Sequence, residues 1–178
     1  MPRRPVTSIT DLEARIIDAA LSLGDSLDAV AMPELARTAG LAVGTLYRVA
    51  PSKDALKNLV EQRVMARFEQ TVFAPFPARL DLRSRLALIL GRIALFAEQN
   101  QHAARYLASR GLKPGDMFVR AASGFARDGE AAGQLKPLGG AELAALIWGP
   151  LSAFTRLDVL TPQTLTRFEG ALWDAVAA

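Results

Sequence analysis

The 178-residue sequence predicts an all-α protein: an N-terminal three-helix head with a helix-turn-helix, and a larger helical body. Two observations point to the fold and a third permits it. Apolar residues recur at three- and four-residue spacing along most of the chain, without strand alternation, internal repeats or low-complexity segments. The stretch Leu35 to Leu56, LARTAGLAVGTLYRVAPSKDAL, reads as two short helices around a tight turn followed by a capped third helix. A hydrophobic content of 51% is ample for burial at this length.

Taken in order, Thr10 with Glu13 gives a capping-box pattern, and Leu12, Ile16, Ala19 or Ala20, and Leu23 share a face of helix one, which ends near Gly24. Pro33 suits a helix start, because its fixed backbone angle is preorganised there and the N–H it lacks would have no partner. Leu35 and Ala36 supply the apolar face of helix two. Gly40 can take the left-handed turn that other residues resist, and Leu46 returns to the core on helix three. Ala42 to Arg48 is the recognition-helix candidate. Pro51 and Ser52 stop that helix and cap helix four, which runs from Lys53 to about Phe73 before the turn at Pro75 to Pro77. Helix five, about Asp81 to Glu98, is apolar on nearly every side in its second half, which predicts a central position. Helix six spans Gln101 to Arg110 and stops at Gly111; helix seven spans about Asp116 to Ala132, with Phe118, Ala122, Phe125 and Gly129 on one face. After a loop from Gln134 to Gly140 come helices over Ala141 to Leu157 and Pro162 to Ala177, the first kinked at Gly149 and Pro150.

Composition narrows the chemistry. There is no cysteine, and one histidine, His102, expected to face solvent at a helix start, so no disulfide, thiolate site or multi-histidine metal site is expected within a subunit. No apolar stretch reaches the roughly 18 residues of a membrane span, and MPRRPVTS lacks the apolar core of a secretory signal; a cytoplasmic location is the expectation. Net charge is +3, but residues 1–60 balance seven Lys or Arg against seven Asp or Glu. The balance is uneven along the head. Arg37, Arg48, Lys53 and Lys57 gather around the recognition segment, while Asp11, Glu13, Asp18, Asp25 and Asp28 fall on helix one and its loop. Arg3 and Arg4 read either as an arm reaching a groove or as a solvated terminus.

Ala39, Gly40, Gly44, Thr45, Leu46, Tyr47, Ser52, Lys53 and Leu56 together resemble the hallmark of the tetracycline-repressor (TetR) family of transcription regulators. The order of nine helices, with Gly133, Gln134, Leu135 and Pro137 before the final pair, is similar to the family's body. The resemblance implies a homodimer that binds double-stranded operator DNA and answers to a small hydrophobic effector, with residues 1–57 as DNA-binding domain and 58–178 as ligand-binding and dimerisation domain. It implies a repressor, and neither enzyme nor cofactor. Three departures stand out. Val49 and Ala50 replace an aromatic or His followed by Phe, Ala42 and Val43 replace polar or basic residues, and Val30 and Ala31 replace a Thr or Ser cap. They leave open an alternative: a dimeric small-molecule-binding protein of the same fold that has lost operator binding.

The DNA-binding candidates are Arg37, Thr45, Tyr47, Arg48 and Lys53. Arg48 can pair bidentately with guanine, and Lys53 follows the Ser52 cap, where its ammonium and first-turn N–H groups can approach one phosphate. Phe96, Tyr106, Met117, Phe118, Phe125 and Trp148 either line a ligand cavity or form ordinary core. Apolar spacing beyond what one small body needs makes Leu143, Ile147, Leu151, Phe154, Leu157, Leu165, Phe168 and Leu172 the expected dimer interface. No Ser/His/acid order and no phosphate-binding glycine pattern suggests an enzyme.

Overall fold

The computed structural model describes residues 8–24 and 27–178. Arg3, Arg4 and Asp25 lie outside them. Among the described residues there are nine helices: α1 (Ile9–Ser22), α2 (Met32–Thr38), α3 (Val43–Val49), α4 (Lys53–Val72), α5 (Leu82–Gln99), α6 (Gln101–Arg110), α7 (Met117–Ala131), α8 (Gly140–Arg156) and α9 (Pro162–Val176). The chain divides into two compact units, the first ending at Met65 and the second running Ala66–Ala178. The first is called the head below and the second the body.

In the head, α1, α2 and α3 pack on one another, and Leu12, Ile16, Leu35 and Leu46 are buried. The start of α1 lies two residues before the expected cap. The Ser8 hydroxyl accepts from the Asp11 N–H at 3.0 Å, and the Asp11 carboxylate accepts from the Ser8 N–H at 3.2 Å. This pair has the same spacing as Thr10 and Glu13, and the earlier start leaves Glu13 free to pair with Arg63.

Neither α2 nor α3 has a side-chain N-cap. At the end of α2, Gly40 takes φ +63°, the Leu41 N–H donates to the Ala36 carbonyl at 2.8 Å, and the Gly40 N–H donates to the Arg37 carbonyl at 3.1 Å. This is a Schellman closure, and it needs a residue that tolerates positive φ. Arg15 reinforces it from α1, its guanidinium donating to the Ala39 carbonyl at 2.6 and 3.1 Å and to the Gly40 carbonyl at 2.8 Å. Ser52 caps α4 as its sequence position predicts, accepting from the Ala55 N–H at 3.1 Å.

In the body, α8 packs against α6 and α7, and α5 against α6 and α9. Two glycines are set by close approach. A Cβ on Gly140 would collide with Ser123 of α7, and one on Gly129 would meet the Leu82 Cδ2 at 2.7 Å. Gly149, by contrast, has open space around it, and α8 runs unbroken through Pro150. α5 is less enclosed than expected. Leu86, Leu90, Ile93 and Phe96 are buried, but Ala87, Gly91 and Leu95 form an exposed stripe along the opposite side of the helix. Arg92 closes the end of α4, donating to the carbonyls of Val72 (3.2 Å), Ala74 and Pro75 (3.0 Å) while lying 5.0 Å from the Phe76 ring centroid.

Candidate functional sites: the α3 face and the interior of the body

Leu46 and Ala50 anchor α3 from beneath, both without solvent exposure. Its other side is open. Val43 and Tyr47, each 44% exposed, stand one turn apart, and Gly44 and Arg48 form the neighbouring exposed pair; Thr45 is half-buried. Among the described residues Arg48 makes no hydrogen bond or ion pair, so its guanidinium is available. The two departures at the end of α3 behave differently from each other. Ala50 sits in the core, where a methyl fills the place of an aromatic ring, and Val49 is half-buried at the end of the helix.

The cations flanking α3 are partly committed. Lys53 donates its ammonium to the Val30 carbonyl, pinning the residue just before Ala31, from which the uncapped α2 starts; an ammonium has two further protons to offer. Sequence reasoning missed this contact, which spans 23 residues. Lys57 pairs with Asp28, and its hydrogen bond holds the Asp28 carboxyl below the usual carboxylate value while the lysine is pushed up. Arg37 is exposed and 3.8 Å from Glu34. Thus Thr45, Tyr47 and Arg48 share α3, Arg37 lies on α2, and Lys53 opens α4.

The interior of the body is aromatic. Phe68 lies 5.2 Å from Phe96, 5.7 Å from Trp148 and 6.5 Å from Phe118, and Phe118 lies 5.3 Å from Trp148. Two cavities of about 20 Å³ each flank this cluster. Phe96 and Trp148 line the first, Phe118 and Phe125 the second. Tyr106 is buried but lines neither, and Met117 is on the surface, because it opens α7 before the helix turns its apolar face inward. His102 is exposed in the first turn of α6. A larger cleft of about 540 Å³ lies among α5, α6 and the α8–α9 turn, bordered by Leu95, Glu98, Arg105, Asp158 and Leu165. Behind α6, Asp116 takes two hydrogen bonds from Arg110, at 2.8 and 2.9 Å, and one from the Lys113 N–H at 2.8 Å. The Arg110 bonds hold its carboxyl below the ordinary value.

Of the residues expected at a dimer interface, Leu143, Ile147, Leu151 and Leu172 point into the body's own core. Phe154, Leu165 and Phe168 are half-buried, with the Phe154 and Phe168 rings 5.7 Å apart, and Leu157 is 70% exposed. The outward apolar residues also include Leu146 and Val159, which the apolar spacing could have flagged. Among the described residues no cluster could hold a metal ion, and no helix is long and apolar enough to cross a membrane.

Residues 16–58 match the family model described as bacterial regulatory proteins, tetR family. A search of curated proteins finds no match. Solved structures share the fold over nearly the whole chain. A TetR-family transcriptional regulator from Haemophilus influenzae is 22% identical with a TM-score of 0.76, covering 95% of this chain and 98% of its own. The fatty acid degradation regulator FadR from Bacillus halodurans is 16% identical with a TM-score of 0.76, covering 97% of each chain. The ketosteroid regulator KstR2 of Mycobacterium tuberculosis is 13% identical with a TM-score of 0.73, covering 98% of this chain and all of its own. Residues 16–58 of the head thus match the tetR-family model, and the whole chain shares the fold of solved TetR-family regulators.

Proposed function

We propose that the chain is a homodimeric repressor in which residues 1–57 bind operator DNA and residues 58–178 dimerise and take a small hydrophobic effector that releases it. The observation that carries this reading is the α3 face: Val43, Tyr47 and an unengaged Arg48 stand exposed on a helix whose core side is fully buried. Such a face fits the major groove, Arg48 to a guanine edge and the apolar side chains to thymine methyls, while Arg37 and Lys53 serve phosphates. Two heads of a two-fold dimer would meet successive half-sites. Exposed Leu146 and Leu157 support α8 as the dimer surface. An effector that prefers a body conformation with the wrong head separation would lower the DNA-competent population.

Selection on a randomised duplex pool, followed by salt titration, tests it. Wild type should show a preferred site and a steep loss of affinity with salt. Arg48→Ala should lose about 1–3 kcal/mol on that site and relax one base, whereas Lys53→Ala should weaken all duplexes. Leu157→Glu should yield monomers in sedimentation. The few cations on α3 and the neutral head favour one rival, a dimeric small-molecule-binding protein of this fold without operator recognition. Absence of salt-sensitive duplex affinity in a folded wild-type dimer would establish that rival.

A further inference from the structure

Two buried side-chain polar atoms have no hydrogen-bond partner among the described residues, Trp148 Nε1 and Ser152 Oγ. They stand one turn apart on the same face of α8 and line the same 20 Å³ cavity, whose other walls are apolar except for Thr155. Ser152 is only 9% exposed. A helical serine usually returns its hydroxyl to the carbonyl four residues back, as Thr155 does to Leu151 at 2.8 Å, so an unpaired hydroxyl at this depth is unusual. Leaving two such groups unmatched is costly, and polar atoms so placed mark either an internal water or a ligand.

The surroundings favour a ligand. Ala97, Ala104 and Thr155 wall the small cavity and also line the 540 Å³ cleft, so two methyl side chains and one threonine rotamer separate the unpaired atoms from open space. The cleft presents Leu95 and Leu165 to an apolar chain. No charged side chain lines the inner cavity, which bars a carboxylate or ammonium there.

We propose that this cleft and inner cavity form one site for a neutral oxygenated amphiphile, its ketone or hydroxyl oxygen held by Trp148 Nε1–H and Ser152 Oγ and its apolar chain in the cleft. The assignment rests on the effector-responsive reading above and defines the effector's chemistry. Titrations of the full chain with 2-decanone, 1-decanol, decanoate and decylamine test it, followed by calorimetry and by Trp148 fluorescence in a Trp173→Phe background. The ketone and the alcohol should bind and perturb Trp148, with the two ions at least tenfold weaker. Ser152→Ala and Trp148→Phe should each weaken 2-decanone roughly 3- to 10-fold, the loss of one hydrogen bond. Ser152→Ala should also raise the melting temperature of the ligand-free chain, because it deletes an unpaired hydroxyl. Lack of binding by both neutral probes, equal affinity in wild type and Ser152→Ala, or a lower melting temperature in Ser152→Ala would each overturn the assignment, the last by showing the hydroxyl already satisfied by a structural water. These titrations contain no DNA. Ketone binding without release of duplex would leave the site standing and remove only the effector-controlled repression.

Discussion

The head depends on partly exposed cations to secure its helix ends, whereas the body, which uses Arg92 likewise at the end of α4, also closes its interior with aromatic rings and one buried ion pair. In the head, α2 and α3 have seven residues each and no side-chain N-cap, too short to persist alone. Arg15 and Lys53 instead tie down the chain on either side of α2, donating to carbonyls 24 and 23 residues away in sequence. In the body, Phe68 meets three aromatic rings, and Arg110 and Asp116 are both 9% exposed at the side chain. The difference shows how a small unit can position the α3 face with little core. It binds loop carbonyls directly, and the cations so used are then only partly available to phosphate.

The largest effect should come from breaking the body's ion pair. Asp116→Asn keeps the shape but leaves the Arg110 guanidinium uncompensated, which should cost about 3 kcal/mol in denaturant unfolding. The sign of its pH dependence follows from the depressed carboxyl pKa of Asp116. The pair's contribution is present above the unfolded value of about 3.8 and is lost as pH falls through the lower folded value. Acid unfolding of wild type should therefore be steeper below about pH 4 than that of Asp116→Asn; parallel curves would mean that the pair contributes nothing.

These two units were also unequally legible in the sequence. The head's pattern follows local backbone demands: positive φ at Gly40, a hydroxyl at Ser52, an inward leucine at 46. Each demand selects a residue type, so the helices and the α3 face could be read directly. What escaped reading, Arg15 on Ala39 and Lys53 on Val30, depends on tertiary approach and leaves no local trace. In the body the helix spans were readable from periodicity, but the direction of each apolar face was not. α8 carries apolar residues on two sides, and spacing alone does not separate the core residues Leu143, Ile147 and Leu151 from the outward Leu146 and Leu157. The unpaired Trp148 and Ser152 atoms were likewise invisible, since a serine in a helix reads as ordinary until its partners are known.

An intermediate effect is expected for Arg15→Ala. It removes three hydrogen bonds from a partly exposed guanidinium, and solvent screening lowers their worth to about 1–2 kcal/mol. The loss should be local, seen as faster amide exchange over residues 36–46 with unchanged protection in the body. Under the DNA-binding reading, affinity for duplex should fall although Arg15 itself is not assigned a contact, because the α2–α3 turn loosens. Uniform acceleration across the chain would instead show that the two units unfold together.

The smallest effect belongs to Asp28 and Lys57, and it separates folding from function most cleanly. Their side chains are 76% and 35% exposed, so water and salt screen the attraction. The depressed Asp28 pKa makes its contribution present above about 3.8 and lost below the folded value, whereas the raised Lys57 pKa makes its contribution present below about 10.5 and lost as pH rises through the folded value. Both lie on the plateau at neutral pH, and Asp28→Asn should leave the melting temperature unchanged. Its effect should appear on DNA. Releasing Lys57 from its partner gives the head one more free cation beside Lys53, and if that cation reaches a phosphate, the log–log salt dependence of duplex binding should steepen by about 0.9. An unchanged slope would place Lys57 away from the duplex and confine the phosphate contacts of the head to Arg37, Lys53 and the α3 face.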